Sequence, residues 1–176
     1  NDNGWTGLKL AKGLSETFEP KDILEFKKIV YSGKFAEGKG NYIKYENIKK
    51  YYISDIKKKY QKLKGKKKIK VLVATGNGGA GEFLPEVLKE LGFKVIELNT
   101  KLDWDFPNFN PNPENMKFLQ QLGKEVRKNK ADLGVALDGD GDRFGVVDEK
   151  GKEISADRAG LFIARFICKK NCTIVI

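Results

Sequence analysis

The amino-acid sequence has 176 residues, none of which is histidine, and it contains two cysteines. Without histidine the chain cannot build a Ser–His–Asp triad, use imidazole as a general base or bind a metal through it. Cys168 and Cys172 do not have the Cys-x-x-Cys spacing of zinc and thioredoxin motifs, and the sequence holds no second pair. We therefore expect two reduced thiols and a cytoplasmic location.

Long apolar runs are also missing. No run approaches the roughly 20 residues that a transmembrane helix needs, so no membrane partner is predicted. The first residues, NDNGWTG, have neither the basic start nor the apolar stretch of a signal peptide, and they lack an initiator methionine, so we expect a piece of a longer chain. The content of 40% apolar and 33% charged residues excludes low-complexity and fully disordered classes.

Acidic residues are in the minority, 24 against 34 basic residues, which gives a net charge of +10. A basic surface attracts nucleic acid, membranes and small phosphates. The Lys-rich stretch 51–70 is the candidate nucleic-acid patch, but it lacks arginine and the interleaved aromatic pattern of single-strand binders. A solvated helix face is therefore favoured and no nucleic-acid partner is predicted, while a basic binding module stays an alternative.

The apolar pattern predicts an α/β fold with a mixed sheet flanked by helices. A spacing of three and four residues predicts helices, the first with a buried stripe of Ile23, Phe26 and Val30. Strands are expected over 7–12, 69–74, 93–98, 133–137 and 144–147. Helices are expected from Pro20, over 51–63 and 82–91, around 119–126, and after a cap at Asp157. The Asn/Pro stretch 99–113 is long enough to indicate a functional loop.

An acidic loop, DGDGDR, follows the strand predicted over 133–137. Asp138, Asp140 and Asp142 place three carboxylates at alternate positions, and such charges about 4 Å apart repel by roughly 4 kcal/mol at an effective dielectric constant near 20. The intervening glycines let the loop curl so that three carboxylates meet at one Mg²⁺ ion. Arg143 adds a planar donor suited to phosphate. Ligands of α/β sheets usually bind at this carboxyl end of the strands.

Two other interpretations of the acidic loop remain. It is either an acidic turn between hairpin strands, or a calcium loop in which Asp138, Asp140, Asp142 and Glu149 occupy positions 1, 3, 5 and 12. The calcium pattern requires glycine at the sixth position, where Arg143 stands, and its flanks should be helices rather than strands. Magnesium is therefore the favoured ion.

A glycine loop, GNGGAG at 76–81, fits the G-x-G-x-x-G pattern between a predicted strand and a predicted helix. Glu97 lies about 20 residues further on, where a dinucleotide-binding domain has its ribose-binding acid. An oxidoreductase domain that binds a nicotinamide or flavin cofactor is therefore an alternative. The other interpretation is a tight turn whose glycines allow close packing and whose amides can face an anion.

Taken together, these segments resemble the α-D-phosphohexomutases, the family of phosphoglucomutases and phosphomannomutases. The context ADLGVALDGDGDRFGVVDEKG is similar to the metal-binding loop of that family, and FPNFNPNPEN is similar to its FPN-x-x-PNPE loop. The glycine loop and its flanks are similar to the opening of the second domain. The start, NDNGWTGLKL, is similar to the segment in which S-H-N-P precedes N-G-x-K.

The resemblance implies an intramolecular phosphotransferase that interconverts hexose 1-phosphate and hexose 6-phosphate, of glucose or mannose. A phosphoserine donates its phosphoryl group, and a bisphosphorylated sugar is the intermediate. By position, Asp138, Asp140 and Asp142 are the implied Mg²⁺ ligands and Arg143 contacts the phosphoryl group. Lys9 is the implied acid–base group, although Thr6 replaces the usual asparagine of the motif.

The resemblance also implies a domain arrangement. Residues 1–38 correspond to the end of domain 1, 39–154 to a complete domain 2 with the metal loop, and 155–176 to the start of domain 3. The phosphoserine would lie two residues before Asn1, and the sugar- and phosphate-binding loops beyond Ile176. The expected partners are a hexose phosphate and the remaining domains of the same polypeptide, and these 176 residues alone are expected to be inactive.

Overall fold

The computed structural model describes residues 7–61, 68–108, 110–168 and 173. Within it the chain forms two compact units that divide between Glu46 and Asn47. This division lies a few residues after the expected 38/39 boundary, and the domain assignment stays a prediction. Some expectations concern residues outside the described ranges, namely Thr6, Leu63, Cys172 and the lysines at 62–67.

The first unit contains a short hairpin and one helix. Strands β1 (Ala11–Lys12) and β2 (Glu16–Thr17) pair antiparallel, and helix α1 spans Pro20–Ser32. A capping box closes the start of α1, since the side chains of Glu19 and Asp22 each accept from the other's backbone amide. The expected strand over 7–12 is thus reduced to its last two residues.

The apolar stripe of α1 is not buried, which corrects the expectation from its spacing. Ile23, Phe26 and Val30 are 45%, 40% and 49% exposed. Phe26 does meet Phe18 edge to face, with ring centroids 6.4 Å apart. The helical period is confirmed, but a hairpin with two residues in each strand is too small to cover a stripe that runs over about two helical turns.

The second unit is built on one mixed sheet of five strands in the order β4-β3-β5-β6-β7. Strand β3 is parallel to β4 and β5, while β6 is antiparallel to β5 and to β7. This arrangement confirms the α/β fold with a mixed sheet. The elements in chain order are α2 (Ile48–Tyr60), β3 (Lys70–Ala74), α3 (Leu84–Glu90), β4 (Lys94–Leu98), α4 (Met116–Asn129), β5 (Leu133–Leu137), β6 (Phe144–Asp148), β7 (Glu153–Ile154) and α5 (Ala156–Ile167).

The helices cover both faces of the sheet. From β3 the chain passes through α3 to β4 on one side, and it then returns through α4 to β5 on the other side of β3. Both crossovers are right-handed but run in opposite directions along the sheet, so α3 and α4 lie on opposite faces. Leu72 and Ala74 of β3 are buried in the α4 cluster with Leu122 and Val126. The residues of β3 between and beside these two, whose side chains lie on the opposite face of the sheet, are buried as well, as is typical of a central parallel strand.

Helix α5 begins differently from the expectation. Its N-terminal capping position is Ser155, and Asp157 lies inside the first turn, where its charge faces the positive end of the helix dipole. No helix in the described ranges is both long enough and apolar enough to span a membrane.

Candidate metal centre

Three loops meet at one edge of the sheet. Strands β3, β4 and β5 run parallel, so the glycine loop after β3, the Asn/Pro loop after β4 and the acidic loop after β5 all leave the carboxyl edge. This is the edge where ligands of α/β sheets bind. The acidic loop is also the tip of the antiparallel β5–β6 hairpin.

The acidic loop brings its three carboxylates together. Asp138, Asp140 and Asp142 each offer an oxygen, and these oxygens lie within 4.8 Å of one another. Asp138 is 3% exposed, whereas the other two are exposed. Oxygens within this distance of one another can share one Mg²⁺ ion, to which each would lie at about 2.1 Å, after at most a small movement of the exposed side chains. An all-carboxylate donor set suits a hard cation such as Mg²⁺, and the residues present fit it.

Arg143 is part of the same loop. Its Nε donates to Asp138 Oδ2 at 3.0 Å and its backbone N donates to Asp138 Oδ1 at 3.2 Å. The hydrogen bond to Asp138 raises the pKa of Arg143 above its already high value, and the charges of Asp138 and Glu114 add to the shift. Each carboxylate oxygen has two acceptor positions, so Asp138 can hold Arg143 and a cation together.

The backbone of the acidic loop is closed by its own hydrogen bonds. The amide of Asp138 donates to the carbonyl of Arg143 at 3.2 Å, and the amide of Gly141 donates to the carbonyl of Asp138 at 3.2 Å. Gly141 has φ +78°, a left-handed conformation that glycine adopts without steric cost. The local sequence thus folds the loop so that alternate side chains converge.

The glycine loop packs directly against the acidic loop. The amide of Gly79 donates to the carbonyl of Gly139 at 2.9 Å. A Cβ atom on Gly78 would lie 2.8 Å from that carbonyl oxygen, and one on Gly81 would overlap the carbonyl oxygen of Thr100. The glycines therefore serve close approach of three backbone segments, as the packing interpretation expected.

Glu97, the acid required by the dinucleotide interpretation, forms hydrogen bonds with two side chains of the same unit. Its carboxylate accepts from Lys89 Nζ at 2.6 Å and from Thr100 Oγ1 at 2.8 Å. The hydrogen bond from Lys89 is the main reason that the pKa of Glu97 is lowered. Nothing in this arrangement favours the oxidoreductase alternative.

Asn77 joins the glycine loop to the Asn/Pro loop, a role that the sequence did not reveal. It is buried with φ +68°, its Nδ2 donates to the carbonyl of Lys101 at 2.7 Å, and its Oδ1 accepts from Asn108 Nδ2 at 2.8 Å. The G-x-G-x-x-G pattern around it predicts a role for the glycines only. The asparagine content of both loops was the available signal, because Asn readily adopts left-handed turns.

Glu114 was also missed. It lies at the end of the Asn/Pro loop, and its Oε1 accepts from Arg143 Nη1 at 3.3 Å. In the sequence, the motif PNPE indicates only a resemblance to the family loop. Since Glu114 and Arg143 are far apart in sequence, only the fold shows that they meet.

The calcium interpretation is wrong. The acidic loop is flanked by strands β5 and β6 rather than by helices. Glu149 follows the far end of β6, so the hairpin separates it from the carboxylates at the tip. The remaining site residue, Lys9, is exposed and lies in the first unit, before β1. Its role stays a prediction.

Residues 50–151 match the model of a protein family described as "Phosphoglucomutase/phosphomannomutase, alpha/beta/alpha domain II". The chain belongs to the phosphoglucomutase/phosphomannomutase family. The family resemblance of the motifs is thereby confirmed, and the matched residues contain the acidic loop, the glycine loop and the Asn/Pro loop.

Individual relatives agree with this assignment. A phosphomannomutase/phosphoglucomutase of Pseudomonas syringae is 34% identical over 171 residues, which cover 97% of this chain and 36% of that protein. A phosphoglucomutase/phosphomannomutase of Thermococcus kodakarensis is 35% identical over 179 residues, covering 97% of this chain and 38% of that protein. The chain thus spans little more than a third of these relatives' length.

A solved structure shares the fold. The structure of a phosphoglucomutase/phosphomannomutase family protein from Burkholderia thailandensis is 32% identical and matches with a TM-score of 0.77 over 85% of this chain and 32% of that one. The chain is therefore similar to part of a longer protein in structure as well as in sequence.

Proposed function

We propose that this chain is the metal-binding portion of an enzyme that interconverts hexose 1-phosphate and hexose 6-phosphate, of glucose or mannose, through a phosphoserine and a bisphosphorylated sugar. The observation that carries the proposal is the convergence of Asp138, Asp140 and Asp142 at the tip of the β5–β6 hairpin, with oxygens within 4.8 Å of one another. Family membership gives this acidic site its chemical context.

Asp138, Asp140 and Asp142 would hold Mg²⁺. When bound, the ion supplies neutralisation of the negative charge on a transferring phosphoryl group. The three aspartates orient their oxygens toward one point because the loop backbone is closed by hydrogen bonds and pinned by Gly79. Such a prearranged site needs little reorganisation during the reaction, which is the main source of electrostatic catalysis.

Arg143 would bind the phosphoryl oxygens. Phosphoryl transfer requires in-line positioning and charge stabilisation more than covalent chemistry by the protein. A guanidinium suits this task because it is planar and always charged. Lys9 would exchange a proton with the sugar hydroxyl that attacks or leaves, since a lysine amine can act as a general acid and a general base.

The proposal includes the rest of the enzyme as partner. Residues 1–38 would complete a first domain, 155–176 would open a third, and a cytoplasmic polypeptide with the phosphoserine and sugar-binding segments would form the working site. These 176 residues contain no S-H-N-P segment, so we expect them to bind metal without detectable mutase turnover.

Metal binding by the chain tests the acidic site. We expect Mn²⁺ or Mg²⁺ to bind with one-to-one stoichiometry in calorimetry, and Asp140→Asn to weaken binding at least about tenfold because it removes an anionic ligand. Glu149→Gln is the matched control, since it removes one carboxylate from the other end of the same hairpin. Equal affinity of the Asp140→Asn and unsubstituted chains would disprove the site.

A chimera tests the activity. Residues 50–151 of this chain replace the matching segment of the Pseudomonas syringae relative, and interconversion of glucose and mannose phosphates is measured. We expect activity in the chimera and its loss on Asp140→Asn, with Glu149→Gln again as control. A chimera that folds and binds metal but turns over no sugar phosphate argues against the mutase assignment.

A further inference from the structure

The guanidinium of Arg143 is held from two sides by two different loops. Nε donates to Asp138 Oδ2 at 3.0 Å, and Nη1 donates to Glu114 Oε1 at 3.3 Å. A guanidinium is a rigid plane, so anchors on two of its nitrogens determine its orientation. Within the described ranges Nη2 has no partner, and its two N–H groups stay available for an oxyanion.

The backbone of Glu114 is fixed although its side chain is 75% exposed. Its amide donates to Asn112 Oδ1 at 3.0 Å, and the amide of Asn115 donates to the carbonyl of Asn112 at 2.9 Å. Asn115 then caps α4 through the amide of Lys117 at 3.0 Å. The end of the Asn/Pro loop is thus a turn that continues directly into a buried helix, and it presents Glu114 to Arg143 from a rigid support.

Electrostatics alone would argue against a carboxylate at this place. Asp138, Asp140 and Asp142 already carry three negative charges, and Glu114 adds a fourth beside the donor intended for a phosphate. Through its charge, Glu114 would repel the phosphate. Through its hydrogen bond, it would hold Arg143 ready for the phosphate. The two effects have opposite signs, so an experiment can separate them.

We propose that Glu114 is a positioning residue for phosphate recognition, whose carboxylate holds Arg143 so that Nη2 meets a phosphoryl oxygen. The inference rests on the proposed function, in which Arg143 contacts that group. It assigns a task to the PNPE motif, which joins the Asn/Pro loop to the acidic loop. The hydrogen bond, rather than the charge, is the property that matters.

Two substitutions in the 176-residue chain test the proposal. Glu114→Ala removes both hydrogen bond and charge, while Glu114→Gln keeps an acceptor oxygen and removes the charge. Glu149→Ala is the control for loss of an exposed glutamate. Calorimetry measures the affinity for inorganic phosphate at saturating Mg²⁺, and ¹⁵N relaxation of the Arg143 Nε–H group measures its order with and without metal. The sequence contains four arginines, which keeps these spectra simple.

We expect Glu114→Ala to weaken phosphate binding by about two- to fivefold, the range that an exposed ion pair supports, and to lower the order of the Arg143 Nε–H group. Glu114→Gln should bind phosphate at least as well as the unsubstituted chain. Three results would each overturn the proposal. They are phosphate binding by Glu114→Ala that is as tight as or tighter than that of the unsubstituted chain, an unchanged order of the Arg143 Nε–H group, and no phosphate binding by the unsubstituted chain. Failure of the proposed function would show itself in a different measurement, the absence of Mg²⁺ binding. The effect of Glu114 on the order of Arg143 can still be tested in that case, because the order is also measured without metal.

Discussion

Gly81 shows at the scale of one residue why the glycine loop has its composition. A Cβ atom at this position would overlap the carbonyl oxygen of Thr100, whereas one at Gly79 would lie 3.6 Å from the carbonyl oxygen of Gly139, an ordinary contact. We expect Gly81→Ala to lower the free energy of unfolding by about 1–3 kcal/mol or more through overpacking, and Gly79→Ala to change it by less than about 0.5 kcal/mol.

Urea denaturation followed by circular dichroism measures both variants. The pair is matched, because each substitution adds one methyl group within the same four-residue turn. Equal stability of the two variants would show that the glycines are not required for packing, and it would reopen their interpretation as part of an anion-binding loop.

Glu97 contributes a pH-dependent term to stability. Its pKa is lowered in the folded chain, first by the hydrogen bond from Lys89 and next by that from Thr100. A lowered pKa stabilises the fold above the unfolded-state value, near 4.5, and this stabilisation is lost as the pH falls through the folded-state value. Since both side chains of the ion pair are partly exposed, the effect at pH 7 is below about 1 kcal/mol.

We therefore expect Glu97→Gln to be slightly less stable than the unsubstituted chain at pH 7 and to approach it at pH 3. Urea denaturation at both pH values measures the difference. In a chain that already carries Lys89→Gln, Glu97→Gln should change the stability less, because the hydrogen bond that mainly lowers the pKa of Glu97 is already absent. A stability difference that is the same at pH 3 and pH 7 would contradict this assignment.

Among the secondary-structure elements, α4 links the site to the core. Asn115 caps the N-terminus of α4, since its Oδ1 accepts from the amide of Lys117 at 3.0 Å. The buried face of the helix packs on β3, β5 and β6 through Leu122 and Val126. We expect Asn115→Ala to lower the free energy of unfolding by about 1 kcal/mol, whereas Asn115→Ser, which keeps a capping oxygen, should retain most of the stability.

Thermal and urea denaturation of the two variants test the cap. Because Asn115 also ends the turn that supports Glu114, the alanine variant should disturb that turn as well, which the amide shifts of Asn112 and Glu114 report. If Asn115→Ala and Asn115→Ser are equally stable, the side-chain cap contributes nothing and α4 is held by its buried face alone.

At the scale of the whole molecule, a bound cation should stabilise the fold. A ligand that binds only the folded chain at 100 times its dissociation constant adds about 2.7 kcal/mol. We expect Mg²⁺ to raise the melting temperature and EDTA to reverse the rise. Asp140→Asn should lose this response while remaining as stable as the metal-free chain, because it relieves repulsion among three carboxylates. A response of Asp140→Asn equal to that of Glu149→Gln would place the cation elsewhere.

The elements that carry the site could be predicted because their signals are local. The alternation of aspartate and glycine at 138–143 predicts, from charge repulsion and backbone freedom alone, the convergence of three carboxylates that the structure shows. The periodic residues Leu119, Leu122 and Val126 identify α4, since each of them faces the sheet in the structure. Element ends were less predictable, as the move of the α5 cap from Asp157 to Ser155 shows, because neighbouring polar residues compete for one capping position.

The sequence by itself determined the α/β class, the three carboxylates and the family to which the chain belongs, since each follows from residues close together along the chain. Only the tertiary structure decided that Gly79 pins the acidic loop, that Asn77 joins two loops, that Glu114 reaches Arg143 and that the stripe of α1 stays exposed. Those facts depend on pairs of residues distant in sequence, or on whether an element finds enough surface to cover it, and no local pattern encodes either.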